Sequence, residues 1–135
     1  MTKLISIIIP LYNEEKNILP IFESVKKTWE SLKNRYAYEI IFVDDGSRDK
    51  SIDLIKEIAL KNRSVKFIEF SRNFGKEIAT TAGLHLAKGD AAIIMDADLQ
   101  HPPDMIPEFI KRWEEGADIV IGVRVKSENE SLIRR

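Results

Sequence analysis

Residues 39–47 read Glu39-Ile40-Ile41-Phe42-Val43-Asp44-Asp45-Gly46-Ser47. The apolar, β-rich middle of this stretch reads as a strand, and it stops abruptly at two acids, a glycine and a serine, which favour turns. After it, Ile52, Ile55, Ile58 and Ala59 recur on one helical face, which predicts a helix from about Asp49 to Lys61. A strand, an acidic turn and an amphipathic helix make one unit, and the same unit recurs on both sides.

Upstream, Ile5 to Pro10 is a continuous β-branched run, as a strand buried on both faces requires. Ile21, Phe22, Val25, Trp29 and Leu32 then follow at helical spacing. Asn13 or Asn17 is the expected cap of that helix, and Pro20 fits only in its first turn. Downstream, Val65 to Phe70 reads as a third strand and Gly75 to Ala87 as a helix stopped by Gly89. Ala91 to Met95 is a fourth strand that runs into Asp96-Ala97-Asp98. Pro102-Pro103-Asp104 opens a further helix with Ile106, Phe109, Ile110 and Trp113 on its face, stopped by Gly116. Ile119 to Ile121 is a fifth strand, and the polar stretch Lys126 to Glu130 is expected to be mobile. The order βαβαβαβαβ predicts an α/β fold, a mostly parallel sheet with helices on both faces.

The 135 residues suit one domain, with 44% hydrophobic and 32% charged residues. Twenty-one basic against 22 acidic residues leave a net charge of −1, which argues against a general nucleic-acid binder. The lack of cysteine excludes disulfides, iron–sulfur clusters, thiolate zinc and cysteine nucleophiles, and two histidines exclude a multi-histidine metal site. The apolar N-terminal run is too short for a signal peptide, and no run reaches the ~18 apolar residues of a membrane helix. A soluble, cytoplasmic piece is expected.

In open parallel sheets, ligands bind beyond the carboxyl ends of the strands. Acids collect there in this chain, Asp44 and Asp45 after the second strand, Asp96 and Asp98 after the fourth. A single aspartate in a tight loop usually caps a turn, and Asp49 is read that way. Paired aspartates repel unless something positive lies between them, and oxygen ligation without Cys or His clusters suits Mg2+ or Mn2+. For Asp96 and Asp98 the metal reading outweighs capping; for Asp44 and Asp45 the two stand level. No Gly-x-Gly-x-x-Gly follows the first strand, and Gly75-Lys76 fails as a Walker loop because positions 70 and 77 are Phe and Glu. The first strand instead ends in Pro10-Leu11-Tyr12-Asn13-Glu14-Glu15, an aromatic and a carboxylate where a base and a ribose could rest. His101 reads as a loop residue, His85 as structural, Trp29 and Trp113 as core. Lys26-Lys27 and Arg134-Arg135 read as solvated, with anionic lipid the alternative for the basic end.

Four stretches occur in order: Ile8-Ile9-Pro10-Leu11-Tyr12-Asn13-Glu14-Glu15, Phe42-Val43-Asp44-Asp45-Gly46-Ser47, Ser71-Arg72-Asn73-Phe74-Gly75-Lys76, and Met95-Asp96-Ala97-Asp98-Leu99-Gln100-His101-Pro102-Pro103. Together they resemble family 2 glycosyltransferases of the Rossmann-like GT-A fold, over about residues 4 to 124. Within that family the chain is most similar to the polyprenyl-phosphate sugar transferases. The resemblance implies that Asp96-Ala97-Asp98 is the DXD element, with Asp98 the principal ligand of the metal and Asp96 and Gln100 at or near it. It implies that Pro10, Tyr12, Glu14 and Asp44 line the nucleoside pocket with Asp45 close by. It further implies that the stretch ending in Lys76 shapes the nucleotide side of the cleft and that Arg124 is held near the phosphates.

The activity implied is inverting sugar transfer from a UDP- or GDP-sugar, with Mg2+ or Mn2+ on the diphosphate, to a polyprenyl phosphate. Such an acceptor needs no general base, because its second pKa near ~6 leaves it ionised at neutral pH. A saccharide hydroxyl acceptor, which would need one, remains the alternative, as does a binding domain without catalysis. A nucleotidyltransferase is disfavoured by Pro10-Leu11-Tyr12 standing where its glycine-rich loop would be. Domains of this family are expected to run well past residue 135. Residues 1–135 are therefore expected to be the nucleotide-sugar-binding part, with the acceptor site and membrane contact in a missing C-terminal part and the parent protein at the cytoplasmic face of the membrane.

Overall fold

Two nine-residue strands, β1 (Lys3–Leu11) and β2 (Tyr36–Asp44), pair in parallel along their whole length, from Lys3 opposite Tyr36 to Leu11 opposite Asp44. The structure is a computed structural model and describes residues 2–98, 103–117, 120–124 and 130–134. β3 (Val65–Glu69) lies outside β2 and β4 (Ala91–Ile94) outside β1, both parallel, so the strand order is β3-β2-β1-β4. The crossovers are α1 (Glu15–Trp29), α2 (Ser51–Lys61) and α3 (Lys76–Leu86). A 3₁₀ turn at Pro103–Met105 leads into α4 (Ile106–Glu114) after β4.

Both faces of the sheet are covered, which is why β1 and β2 carry unbroken apolar runs rather than alternating ones. Ile5, Ile7 and Ile9 with Ile40 and Phe42 face α1, α2 and α4, meeting Ile18, Ile21, Val25, Ile55, Ile106 and Ile110 in the main core. Ile8, Ile41 and Val43 face the other way and are covered by α3 through Ala79 and Leu86. That helix lies close against the sheet because residue 83 is glycine. A Cβ there would come within 2.6 Å of the Ile8 Cγ2 and 3.1 Å of the Val43 Cγ2.

Beneath α3 a polar network pins the α3–β4 connection to the sheet. The Ser6 hydroxyl and the Lys88 amide donate to the buried Glu39 carboxylate at 2.5 and 2.7 Å, and the Gly89 amide donates to the Ser6 oxygen at 2.8 Å. Lys66 pairs with the same carboxylate at 2.9 Å. Burial works to raise the Glu39 pKa, but these hydrogen bonds and the Lys66 charge outweigh it and hold the carboxyl below its ordinary value.

Several expectations need correction. Pro20 lies inside α1, as its sixth residue, rather than in the first turn. It is on the solvent side, where water can take the carbonyl its missing N–H leaves unpaired. Neither Asn13 nor Asn17 caps α1; Glu14 occupies the cap position, and partners come from another loop. Finally, β5 (Val120–Arg124) does not extend the parallel sheet. It pairs antiparallel with β6 (Glu130–Arg134), from Val120 opposite Arg134 to Arg124 opposite Glu130. A connection of five residues can close an antiparallel pair, whereas a parallel one needs a long crossover. Of the stretch Lys126 to Glu130, expected to be mobile, Glu130 lies instead in β6, and residues 126–129 lie outside the described residues.

The aromatic expectations hold. Trp29 is buried against Tyr38, with ring centroids 4.9 Å apart, and its indole N–H donates to the Tyr36 carbonyl at 2.9 Å. Trp113 packs at the edge of the same core with the Lys3 ammonium 5.2 Å from its ring centre. Lys26 and Lys27 are solvated. His85, expected to be structural, is instead exposed on α3 and takes no part in the core. No helix among the described residues is long and apolar enough to cross a membrane.

Candidate functional site

Strand order reverses between β1 and β4, since the chain leaves β1 toward β2 and β3 and returns on its other side. At such a switch point the loops diverge and leave a crevice at the carboxyl ends. Here it is a cleft of about 260 Å³. The end of β1 contributes Pro10, Leu11, Tyr12 and Glu14; β2 contributes Asp45; α3 contributes Lys76 and Ala79; the end of β4 contributes Asp96, Ala97 and Asp98. Seven of the residues singled out in the sequence thus meet in one place: Pro10, Tyr12, Glu14, Asp45, Lys76, Asp96 and Asp98.

The remaining three do not appear in that lining. Asp44 is buried below it, where its carboxylate accepts the Ser47 amide at 3.3 Å. Burial pushes its pKa up, and the Glu69 and Asp49 charges add to that against the lowering bonds from Ser47. Arg124 has its backbone in β5, and its side chain lies outside the described residues, as does Gln100. His101 is outside them too.

The β1 loop is held by the β2 loop rather than by its own helix cap. Asn13 adopts the left-handed conformation, φ 54°, which asparagine tolerates better than most residues. Its side-chain oxygen accepts the Arg48 amide at 2.8 Å, and its own amide donates to the Ser47 hydroxyl at 2.7 Å. The Glu14 amide donates to Ser51 Oγ at 2.9 Å, the Glu15 amide to Asp49 at 3.2 Å, and the Lys50 amide back to Glu15 Oε1 at 2.9 Å. Asp49 is thus the cap expected of it, but for two helices, accepting the Ser51 amide at 2.9 Å as well. Burial works to raise its pKa, and these bonds reverse that and hold it low. The clamp fixes the backbone from Asn13 to Glu15, directly after Tyr12 and through Glu14. Sequence reading missed it, since each partner looked like an ordinary turn residue.

Asp45 has a structural use alongside its place in the lining. Its buried carboxylate accepts the Phe74 amide at 2.7 Å, the Gly75 amide at 3.0 Å and the Asn73 side chain at 3.1 Å. It thereby holds the turn that starts α3. Gly46 beside it has φ +76°, and a Cβ there would fall 2.3 Å from the Arg72 carbonyl carbon. Only glycine lets the two loops pass so closely, which gives the Asp-Asp-Gly-Ser stretch a steric reason.

Lys76, thus positioned, forms an ion pair with Asp96 across the cleft. Asp98 is exposed, two residues on, and the intervening Ala97 is buried. Among the described residues no three His, Cys, Asp or Glu side chains gather to hold an ion by themselves. Asp96 and Asp98 are hard oxygen donors of the kind that would hold a divalent cation, which would have to complete its oxygen shell from elsewhere.

A parallel sheet with an acidic crevice at its switch point is an α/β architecture with its ligand site at the carboxyl ends of the strands. The model of glycosyl transferase family 2 matches residues 6–135, and the chain belongs to that family. A prophage bactoprenol glucosyl transferase homolog of Escherichia coli (strain K12) is 42% identical over 131 residues, 97% of this chain and 42% of that protein. The chain spans about two-fifths of the length of the curated relatives it matches. Among solved structures, the mannosyltransferase PcManGT from Pyrobaculum calidifontis, in complex with GDP-Man and Mn2+, superposes with TM-score 0.76 at 20% identity, over 95% of this chain and 37% of that one. Glucosyl-3-phosphoglycerate synthase from Mycobacterium tuberculosis, with Mn2+, UDP and glucosyl-3-phosphoglycerate, gives 0.60 at 27% identity, over 82% of this chain and 39% of that one. The fold is the GT-A arrangement.

Proposed function

We propose that residues 1–135 form the nucleotide-sugar-binding part of an inverting glycosyltransferase whose donor is a UDP- or GDP-sugar and whose acceptor is a polyprenyl phosphate. The observation that carries this reading is the meeting of Asp96, Asp98, Tyr12 and Glu14 in one cleft at the switch point of the sheet. The bactoprenol name of the Escherichia coli relative supports the lipid-phosphate acceptor. The Mn2+ and UDP of the mycobacterial neighbour support the donor side.

In this reading Tyr12, 42% exposed, offers its ring to the base and Glu14 its carboxylate to the ribose. Asp96 and Asp98 are the ligands of Mg2+ or Mn2+, which when bound supplies positive charge to the leaving diphosphate. Arg124 is assigned to the phosphates, where a planar guanidinium can hold two oxygens at once. No side chain is assigned as general base, because a phosphate monoester is already ionised at neutral pH.

Calorimetry with UDP and with GDP, in Mn2+ and then in chelator, tests the donor site. Binding should need the cation, and Asp98→Asn should weaken it about tenfold or more with an unchanged melting temperature, the side chain being exposed. Equal binding with and without the cation, or a lower melting temperature with unchanged affinity, makes Asp98 a structural residue and refutes the assignment.

A further inference from the structure

Lys76 breaks a local rule. It is the first residue of α3, where the helix dipole favours an anion and opposes an ammonium. Packing does not call for it, since its side chain is 62% exposed. Its backbone is nevertheless fixed from below, because the amides of Phe74 and Gly75 just before it are held by the buried Asp45. From that fixed start the ammonium reaches from α3 to the end of β4 and pairs with Asp96, whose side chain is 26% exposed. Lys76, Asp96 and Asp98 line the same cleft.

We propose that Lys76 is an exchangeable counter-ion: it neutralises Asp96 and gives that carboxylate up to a divalent cation when a nucleoside diphosphate enters, its ammonium passing to the diphosphate. This rests on the reading of the cleft as a metal–diphosphate site. Two carboxylates two residues apart repel each other unless a positive charge is near. Lys76 supplies that charge, and so competes with a cation arriving alone. A diphosphate reverses the balance, since it brings negative charge that the displaced ammonium can meet. The four-carbon stem allows the transfer by rotation about side-chain bonds, with the backbone held still. Cation and diphosphate are then coupled reciprocally, each tightening the other through Lys76.

The test is Mn2+ binding to the 135-residue chain, followed by electron paramagnetic resonance of the free ion, alone and with saturating UDP or GDP. Lys76→Met should bind Mn2+ alone about threefold more tightly than the unaltered chain, the gain expected from removing an exposed ion pair. The tightening of Mn2+ by nucleotide should shrink in Lys76→Met and persist in Lys76→Arg, which keeps the charge. Melting curves check that the variants are folded. An unchanged or weaker Mn2+ affinity in Lys76→Met, or an undiminished nucleotide effect, overturns the exchange. Failure of the underlying site reading looks different: the unaltered chain and Asp98→Asn would then bind Mn2+ identically, with and without nucleotide.

Discussion

Gly46 and Asp45 illustrate how much of this site rests on single atoms. The Arg72–Asn73 backbone passes so near Gly46 that a methyl group would fall 2.3 Å from one main-chain carbon and 2.6 Å from the next nitrogen. Backbone on both sides cannot yield as a flexible side chain would. Gly46→Ala is therefore expected to destabilise the fold by about 2–4 kcal/mol, through the clash and the positive φ together. Urea unfolding measures this, and a loss below ~1 kcal/mol would mean the two loops separate easily. Separation would also release the turn that Asp45 holds and with it the start of α3, so the same variant should lose nucleotide affinity.

At the scale of elements, the joint between α3 and β4 depends on one ionised carboxylate. Glu39 is held below its ordinary pKa by Lys66, the Lys88 amide and Ser6, against the effect of burial. A group whose folded pKa is depressed contributes stability above its unfolded pKa and loses it as pH falls through the folded value. Stability should thus decline as the solution is acidified below about 4.5, the ordinary value for Glu39. Glu39→Gln should be less stable at neutral pH and show a flatter acid limb. Asp44 contributes in the opposite sense. Its raised pKa means that it costs stability near neutrality and costs less on acidification, so it partly offsets Glu39. Denaturant midpoints across pH 3 to 7, about the carboxylate range, decide the matter. An acid limb unchanged in Glu39→Gln assigns the effect elsewhere.

At the scale of the whole molecule, the chain is expected to bind nucleoside diphosphate with Mn2+ yet transfer no measurable sugar to polyprenyl phosphate. Among the described residues the cleft is open, with Tyr12 42% exposed, and the lining residues given a role above, Tyr12, Glu14, Asp96 and Asp98, all belong to the donor side of the proposed reaction. Water in an open cleft weakens the attraction between charges, and an acceptor without a seat forfeits the gain from positioning. Radiolabelled sugar transfer in detergent measures this. Robust turnover would place the acceptor site within residues 1–135 and overturn the donor-part reading.

The sequence by itself determined the alternation of strand and helix through β4 and the place of the acids. Those signals are local: an unbroken apolar run ending in Asp-Asp-Gly-Ser or Asp-Ala-Asp is legible without knowing what packs against it. Tertiary structure alone decided which acid does what. Asp44 and Asp45 are neighbours, yet one is buried beneath the cleft and the other holds the turn before α3. Lys76 meets Asp96 only because the chain crosses the sheet between them, and the Asn13–Ser51 clamp joins loops 34 to 37 residues apart. The pairing of β5 with β6 was equally illegible, since Leu132-Ile133 is too short an apolar pair to announce a strand. Propensity acts between near neighbours, whereas charge pairing and steric exclusion act between whatever the fold brings together, and that is known only when the strands have taken their order.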